Sequence, residues 1–184
     1  WKSFDKNNEL WINCEFELSS FEIKKNKNKF SKTLQSILIS ANKINPMFLK
    51  NNCGGSVSTH LNFSKKWGLG TSSTLINNIS KWANIDPYEL LWSNYKGSGY
   101  DIACALAKTP ILYKLEDSIP IAKSVQFNPD YTKNIFFVYL NKKQDSNKEI
   151  DKFFEMKISD LKKKRLSDLT LEFVNSKTLL DFQN

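Results

Sequence analysis

The sequence predicts an α+β fold, because strand-type and helix-type patterns follow one another along the chain. Apolar and polar residues alternate over residues 9–18, which is typical of a half-buried strand. Apolar residues then recur at helical spacing over residues 30–41. Residues 55–83 combine both patterns, with a strand-type stretch, a turn containing two glycines, and helical spacing after it.

The first strand and the first helix each present one apolar face. Phe21 and Ile23 are expected to continue the strand as far as a lysine- and asparagine-rich turn at residues 24–29. Pro46 is expected to end or follow the helix, because proline has no backbone N–H to donate. The apolar residues are Leu10, Ile12, Cys14, Phe16 and Leu18 in the strand, and Phe30, Leu34, Ile37, Leu38 and Ala41 in the helix.

Turn and cap residues place the next elements. Cys53-Gly54-Gly55 predicts a turn into the strand at residues 55–63, in which His60, the single histidine, is expected to be structural. Asp86, Pro87 and Glu89 together predict a helix start, with an aspartate cap, proline at the first position and glutamate three residues after the cap.

The second half of the chain is expected to mix short strands and helices. A small-residue helix is predicted over residues 102–107, strands over 111–115 and 122–127, and a buried strand over the continuous apolar run 134–140. Ser146 with Glu149 and residues 167–182 indicate two further helices. Asn128-Pro129-Asp130 is the expected domain boundary, which gives domains of residues 1–128 and 129–184.

Composition excludes several classes of protein. The 184 residues are 40% hydrophobic, so the chain is expected to fold, and it contains no apolar run of the ~20 residues that a membrane helix needs. The three cysteines have no metal-ligand or disulfide spacing and are expected to be buried thiols in a reducing cytoplasm. The net charge is +8, but Arg165 is the single arginine, so a solvated lysine-rich surface is favoured over a nucleic-acid-binding face.

The two ends of the chain both look cut. The sequence opens at Trp1 directly in a strand pattern and stops at Asn184 soon after an apolar pair. We therefore expect it to be an internal piece of a longer protein.

The glycine-containing stretch 67–74 has the composition of an anion-binding loop. Glycine lets the backbone adopt positive φ and approach a ligand closely, and the first N–H groups of a helix are free to bind phosphate. The stretch lacks the lysine of a Walker A loop and the further glycine of a dinucleotide fingerprint. From the residues alone, anion binding and a simple glycine turn into a capped helix remain equally open.

Two motifs resemble one enzyme family. Gly68-Leu69-Gly70-Thr71-Ser72-Ser73-Thr74 resembles the GLGSSAA phosphate-binding motif of the GHMP kinases, which include galactokinase, homoserine kinase, mevalonate kinase and phosphomevalonate kinase. Further on, Gly97-Ser98-Gly99-Tyr100-Asp101-Ile102-Ala103 resembles the PSGxD segment of the same family, in a form closest to the mevalonate and phosphomevalonate kinases. The resemblance implies a two-domain fold, with an N-terminal sheet and helices and the start of a C-terminal α+β domain.

The resemblance also implies roles for particular residues, with ATP and Mg²⁺ as cofactors. Ser72 matches a loop serine that ligates magnesium in the family, and Thr71 keeps the hydroxyl of the serine before it. Asp101 matches the catalytic aspartate and would accept or orient the proton of the substrate hydroxyl. Ser98 and Gly99 are expected to contact the substrate, a mevalonate-type alcohol or phosphate. The residues expected to hold the ATP phosphates are Gly68, Leu69, Gly70, Thr71, Ser72 and Ser73.

Alternatives remain at several of these positions. Asp101 and Glu89 are both explained by helix capping, and for Glu89 capping is favoured over a magnesium-ligand role. Ser64 stands where the family usually has proline, and the first and third family motifs are absent from these residues. The rival functions are therefore an inactive nucleotide-binding protein of the same fold and a basic nucleic-acid-binding module. Neither a membrane nor a nucleic acid is the expected partner.

Overall fold

The computed structural model of the chain describes residues 1–50, 54–141 and 146–183, and it is α+β as predicted. The chain divides into two compact units, Trp1–Leu106 and Ala107–Asn184. This division lies upstream of the domain boundary predicted at residues 128–129, which stays a prediction because compact units need not coincide with evolutionary domains.

The first unit contains two small sheets. Strands β1 (Lys2–Phe4), β2 (Leu10–Asn13) and β5 (Ser58–His60) form a three-stranded sheet in the order β2-β1-β5. In it β1 runs antiparallel to β2 and parallel to β5. Strands β3 (Glu15–Phe16) and β4 (Ile23–Lys25) form a separate antiparallel pair.

The strand predicted over residues 9–18 is interrupted at Cys14. Cys14 still pairs with the chain start, since its N–H donates to the Trp1 carbonyl at 3.0 Å and the Trp1 amine donates to the Cys14 carbonyl at 2.8 Å. Beyond this residue the partner changes from β1 to β4. Alternation along the sequence identified the extended backbone, but it carries no information about which strand is the neighbour.

Four helices pack around one core in the first unit. They are α1 (Lys29–Ile44), α2 (Thr71–Ala83), α3 (Pro87–Trp92) and α4 (Tyr100–Leu106). The predicted apolar face of α1 is buried except for Phe30, which is exposed. The buried hydrophobic residues of this core are Cys14, Phe21, Leu34, Ile37, Leu38, Ala41, Phe48, Ile76, Ile79, Ala83, Leu90, Leu91 and Ile102.

Side-chain N-caps stabilise the first turns of α1 and α3. At α1, Asn28 Oδ1 accepts from Ser31 N at 3.0 Å and Ser31 Oγ accepts from Asn28 N at 2.8 Å, which is a reciprocal capping box. At α3 the predicted cap is confirmed, because Asp86 Oδ1 accepts from Tyr88 N at 2.6 Å. The caps satisfy N–H groups that have no partner within the helix.

The second unit has a hairpin and three helices within the described residues. Strands β6 (Ile111–Glu116) and β7 (Ile119–Ser124) pair in antiparallel fashion around a turn at Asp117 and Ser118. The helices are α5 (Ser146–Glu155), α6 (Asp160–Asn175) and α7 (Leu179–Gln183). Tyr131 and Ser176 are buried and hydrogen-bonded to each other through their hydroxyl groups, and nearby rings come from Phe127, Phe173 and Phe182.

The prediction of a buried strand over residues 134–140 is wrong. A 3₁₀ turn, Asp130–Asn134, is followed by backbone without regular structure, and Phe137 is fully exposed. Exposed apolar side chains also occur at Phe136, Val138 and Leu140. A strand needs a neighbour to satisfy its N–H and C=O groups, and no strand in the described part of the chain pairs with this segment.

Cys14 and Cys104 differ in their exposure to solvent. Cys14 is buried, but the prediction that all cysteines are buried is wrong for Cys104, which is exposed on α4. Cys53 lies outside the described residues.

His60 lies at the end of β5 and stacks on Phe4 with ring centroids 4.7 Å apart. Among the helices described, each is too short or too polar to cross a bilayer.

Candidate functional site

The glycine-containing stretch forms a left-handed loop that leads into a helix. A 3₁₀ turn, Lys65–Trp67, is followed by Gly68 with φ 72° and ψ 24° and by Gly70 with φ 80° and ψ 37°. Helix α2 begins at the next residue, Thr71. Both glycines occupy the left-handed region that residues with a Cβ rarely adopt, so the backbone favours glycine at these positions. The predicted order of strand, glycine loop and helix is therefore confirmed.

The first backbone amides of α2 are uncapped. Gly70 is the N-cap residue and offers no side chain, and the first intrahelical bond runs from Thr74 N to the Gly70 carbonyl at 3.0 Å. In the part of the chain that the structure describes, the amides of Thr71, Ser72 and Ser73 have no acceptor. Together with the positive end of the helix dipole, they form the kind of N-terminus that binds anions.

The four hydroxyl residues of this helix start fall into two pairs. Ser73 Oγ and Thr74 Oγ1 donate to the Gly70 carbonyl at 2.9 and 2.8 Å, and Ser73 is buried. The hydroxyls of Thr71 and Ser72 make no hydrogen bond within the described residues, and Ser72 is exposed. Thr71 and Ser72 therefore keep side chains that can contact a ligand, whereas Ser73 offers only its backbone N–H.

Two lysine–tryptophan contacts join the turn Lys65–Trp67, which precedes the glycine loop, to β2 and to the turn between β1 and β2. Lys65 Nζ lies 5.3 Å from the ring centroid of Trp11 on β2. Lys6 Nζ, from the turn between β1 and β2, lies 5.5 Å from the ring centroid of Trp67. Both distances are within cation–π range. Trp67 belongs to the predicted loop stretch, but Lys6, Trp11 and Lys65 were not predicted to lie beside it, although Lys65 is only three residues before Gly68 in the sequence.

The second motif lies at the start of α4, and packing explains its glycine. Gly99 is buried with φ +77°, and a Cβ there would lie 3.0 Å from a ring carbon of Tyr88 and 3.4 Å from a methyl of Leu91. Ser98 is exposed and its Oγ accepts from Tyr100 N at 3.4 Å. The close approach to α3 thus requires a glycine at this position whether or not a substrate binds here.

Asp101 is exposed in the first turn of α4. Its Oδ1 accepts from the neighbouring Ile102 N at 3.2 Å, while the Gly99 carbonyl accepts from Ile102 N and Ala103 N. The aspartate therefore sits inside the helix and not at the cap position, which weakens the simple capping interpretation. A carboxylate in the first turn is still favourable to the helix dipole.

The two motifs are connected through the core. Helices α2 and α4 pack against one another, and Ile76, Ile79 and Ile102 belong to the same buried cluster. Within the described residues, no hydrogen bond or ion pair joins Asp101 to the glycine loop. The structure therefore places both motifs on neighbouring helices and does not show them in direct contact.

The candidate magnesium ligands do not form a metal site by themselves. Ser72 and Glu89 are both exposed, and Glu89 lies in the first turn of α3 without the reciprocal bond of a capping box, so its predicted capping bond is not formed. In the described ranges, no group of three or more histidine, cysteine, aspartate or glutamate side chains could hold a metal ion.

Comparison of the chain with protein-family models, with curated proteins and with solved structures found no match.

Proposed function

We propose that this chain belongs to an ATP-dependent small-molecule kinase of the GHMP type, which transfers the γ-phosphoryl group of ATP to an alcohol or phosphate of a mevalonate-type metabolite. The observation that carries the proposal is the helix start at Gly70, where two left-handed glycines lead into three uncapped amides. The resemblance of the sequence motifs supplies the identity of the family and of the substrate.

The four hydroxyl residues at the start of α2 differ in their hydrogen bonds, and this difference supports the proposal. Ser73 and Thr74 replace the two alanines of the family motif, and their hydroxyls are bonded back to the Gly70 carbonyl. Both hydroxyls are therefore engaged by the backbone, with Ser73 buried and Thr74 exposed. Thr71 and Ser72 match the two loop serines of the motif, and of the four hydroxyl groups at this helix start theirs make no hydrogen bond to a described residue.

The residues present fit the phosphate chain of ATP better than they fit a resident metal. Backbone N–H groups from Gly68 to Ser73 would hold the phosphate oxygens, and Ser72 would add one oxygen ligand to magnesium. Magnesium, when bound with ATP, neutralises charge on the transferred phosphoryl group. Asp101 would orient the acceptor hydroxyl and take up its proton, a contribution of typically ~10²–10⁴-fold in rate.

The first experiment measures binding of Mg²⁺–ATP to the chain by titration calorimetry. Gly70→Ala is expected to weaken binding about tenfold, because the free loop should relax away from the left-handed conformation and regaining it on binding costs a non-glycine residue ~1–2 kcal/mol. An added Cβ would also meet Ser73 Oγ at 2.9 Å. The control is Gly54→Ala, which has a similarly positive φ of +106° but open space around it and lies outside the loop.

Three results would contradict the proposal. They are an absence of Mg²⁺–ATP binding, an equal loss of affinity in the Gly54→Ala control, and binding whose strength falls steeply with salt and is shared by DNA. The last result would favour the nucleic-acid-binding alternative, because neutralised phosphates release counterions.

The second experiment separates an active kinase from an inactive nucleotide-binding protein. In the full-length protein with mevalonate or phosphomevalonate as acceptor, Asp101→Asn should lower ADP production by ~10²-fold or more and leave Mg²⁺–ATP affinity unchanged. Asp160→Asn is the matched control, since Asp160 is likewise exposed in the first turn of a helix and has no role in the proposed site, and Glu89→Gln tests the magnesium-ligand alternative separately. A rate unaffected by Asp101→Asn would overturn the catalytic assignment, and a higher Mg²⁺ requirement in Glu89→Gln would make Glu89 a metal ligand.

A further inference from the structure

An open cleft of about 520 Å³ lies in the second unit, where α5 ends and α6 begins. Its volume falls within the range of small-molecule sites, about 300–1,000 Å³. The cleft is formed by the segment between the two helices and by one face of the first turns of α6, where side chains three and four residues apart are neighbours. Its lining residues are Met156, Lys157, Ile158, Lys162, Arg165 and Leu166.

Two of the three cationic side chains that line the cleft have no acidic partner among the described residues. Arg165 Nη1 binds Glu172 Oε1 at 2.9 Å, and outside the lining Lys163 Nζ binds Asp160 Oδ1 at 3.0 Å. In contrast, Lys157 and Lys162 form no ion pair with any residue that the structure describes. Two ammonium groups therefore border one cleft without a carboxylate partner.

The other half of the lining is apolar and open to water. Met156 is 64% exposed and Leu166 is 59% exposed, and Ile158, the third apolar residue of the lining, is half-buried. A bare anion would leave this apolar surface in contact with water, and a neutral apolar molecule would partly desolvate the two lysines without compensation. A ligand that carries an anionic group on an apolar chain satisfies both halves of the lining.

We propose that this cleft binds a small amphiphilic anion, with a carboxylate or phosphate head at Lys157 and Lys162 and an apolar chain against Met156, Ile158 and Leu166. The site is separate from the glycine loop and does not depend on the kinase proposal. Charge complementarity selects the head, and the exposed apolar lining selects the chain.

The test uses n-octyl phosphate, below its micelle concentration, with the whole chain in a calorimeter. Inorganic phosphate and 1-octanol serve as the head-only and chain-only probes. Octyl phosphate should bind saturably and at least about tenfold more tightly than either probe, because each half of the lining then contributes. Equal affinity for inorganic phosphate or for octanol would overturn the proposal, as would an absence of saturable binding.

Matched variants distinguish the cleft from the general basic surface of α6. Lys162→Glu should weaken octyl phosphate binding about tenfold, the usual scale for losing one charge-assisted contact. Leu166→Gln should weaken it several-fold through the apolar chain. The controls are Lys164→Glu and Leu161→Gln, which make the same changes on the same helix outside the lining.

The two control variants and a lipid-vesicle probe decide whether the cleft itself holds the ligand. If either control weakens binding as much as its counterpart, the ligand is held by diffuse charge or surface apolarity and the proposal fails. If the chain binds phosphatidylcholine–phosphatidylglycerol vesicles but no monomeric octyl phosphate, the surface recognises a bilayer and the cleft assignment fails. Circular dichroism of each variant should match the original chain, because the substituted side chains are exposed.

Discussion

Ser73 and Thr74 differ from Thr71 and Ser72 in what their hydroxyl groups contact, although the four residues are consecutive and chemically similar. The sequence shows four candidates for a ligand contact, whereas the hydrogen bonds to the Gly70 carbonyl leave two. Helix geometry decides this outcome, because a hydroxyl three or four residues after a carbonyl on the same helix can reach it. Residue type alone could not have separated the pairs.

The cysteines permit a direct test at the residue scale. Cys14 is fully buried, and burial raises the pKa of its thiol while the nearby chain amine lowers it by a smaller effect. Cys104 is exposed on α4. Because the thiolate is the reactive form and must be reached by the reagent, iodoacetamide should modify Cys104 at least about tenfold faster than Cys14.

Peptide mass spectrometry of partially labelled protein measures both rates in one sample. The denatured chain provides the control, since both cysteines should then react at similar rates. Equal rates in the folded chain would contradict the buried position of Cys14.

Hydrogen bonds between Asp181 and the residues just before α7 stabilise the start of this helix. Thr178 Oγ1 accepts from Asp181 N at 3.1 Å, and Asp181 Oδ2 accepts from Thr178 N at 2.9 Å and from Lys177 N at 3.1 Å. Hydrogen bonds to the carboxylate, first from the Thr178 backbone and then from the Thr178 side chain and the Lys177 backbone, hold the pKa of Asp181 below its ordinary value. A depressed pKa in the folded chain means that the ionised carboxylate favours the folded helix start.

Protonation of Asp181 weakens the start of α7. The stabilisation of α7 is fully present above the ordinary pKa of aspartate, and it is lost as the pH falls through the lower pKa of the folded state. An NMR titration of the Asp181 carboxyl carbon and the Thr178 amide should show both signals changing together in that acidic range. In Asp181→Asn the Thr178 amide should lose this titration, and an Asp181 pKa at or above the ordinary value would contradict the capping arrangement.

Features determined within one element were predicted better than features that depend on a distant partner. The start of α3 depends on Asp86 and Pro87, which are adjacent in the sequence, and the core face of α1 depends on spacing within one element. By contrast, residues 134–140 have the composition of a buried strand but no strand beside them in the described part of the chain. Strand pairing is a long-range property that a local pattern cannot contain.

In the candidate site, too, the local features were predictable from the sequence and the long-range contacts were not. Local chemistry placed Gly68 and Gly70 at a left-handed turn before a helix, as the structure shows. It could not reveal that Lys6 and Lys65 lie over the rings of Trp67 and Trp11, because each pair joins segments far apart in the sequence. Nor could it reveal that Gly99 is required by the approach of Tyr88.

At the scale of the whole molecule, the two units differ in how much they bury. Every residue of the main hydrophobic cluster lies within Trp1–Leu106. Among described residues of the second unit, Tyr131 and Ser176 are the buried ones. Since burial of apolar surface supplies most of the free energy of folding, the first unit should contain most of the stability of the chain.

We therefore expect residues 1–106 to unfold cooperatively in urea when expressed alone. All five tryptophans lie in this unit, so their fluorescence reports its unfolding. Ile37→Ala should lower the free energy of unfolding by about 2–5 kcal/mol, because Ile37 is buried in the core of α1. Ile39→Ala is the same substitution on the same helix at a side chain that is 45% exposed, and it should cost about 0.5 kcal/mol or less. A gradual transition in residues 1–106, or equal costs for the two variants, would show that this core does not form as described.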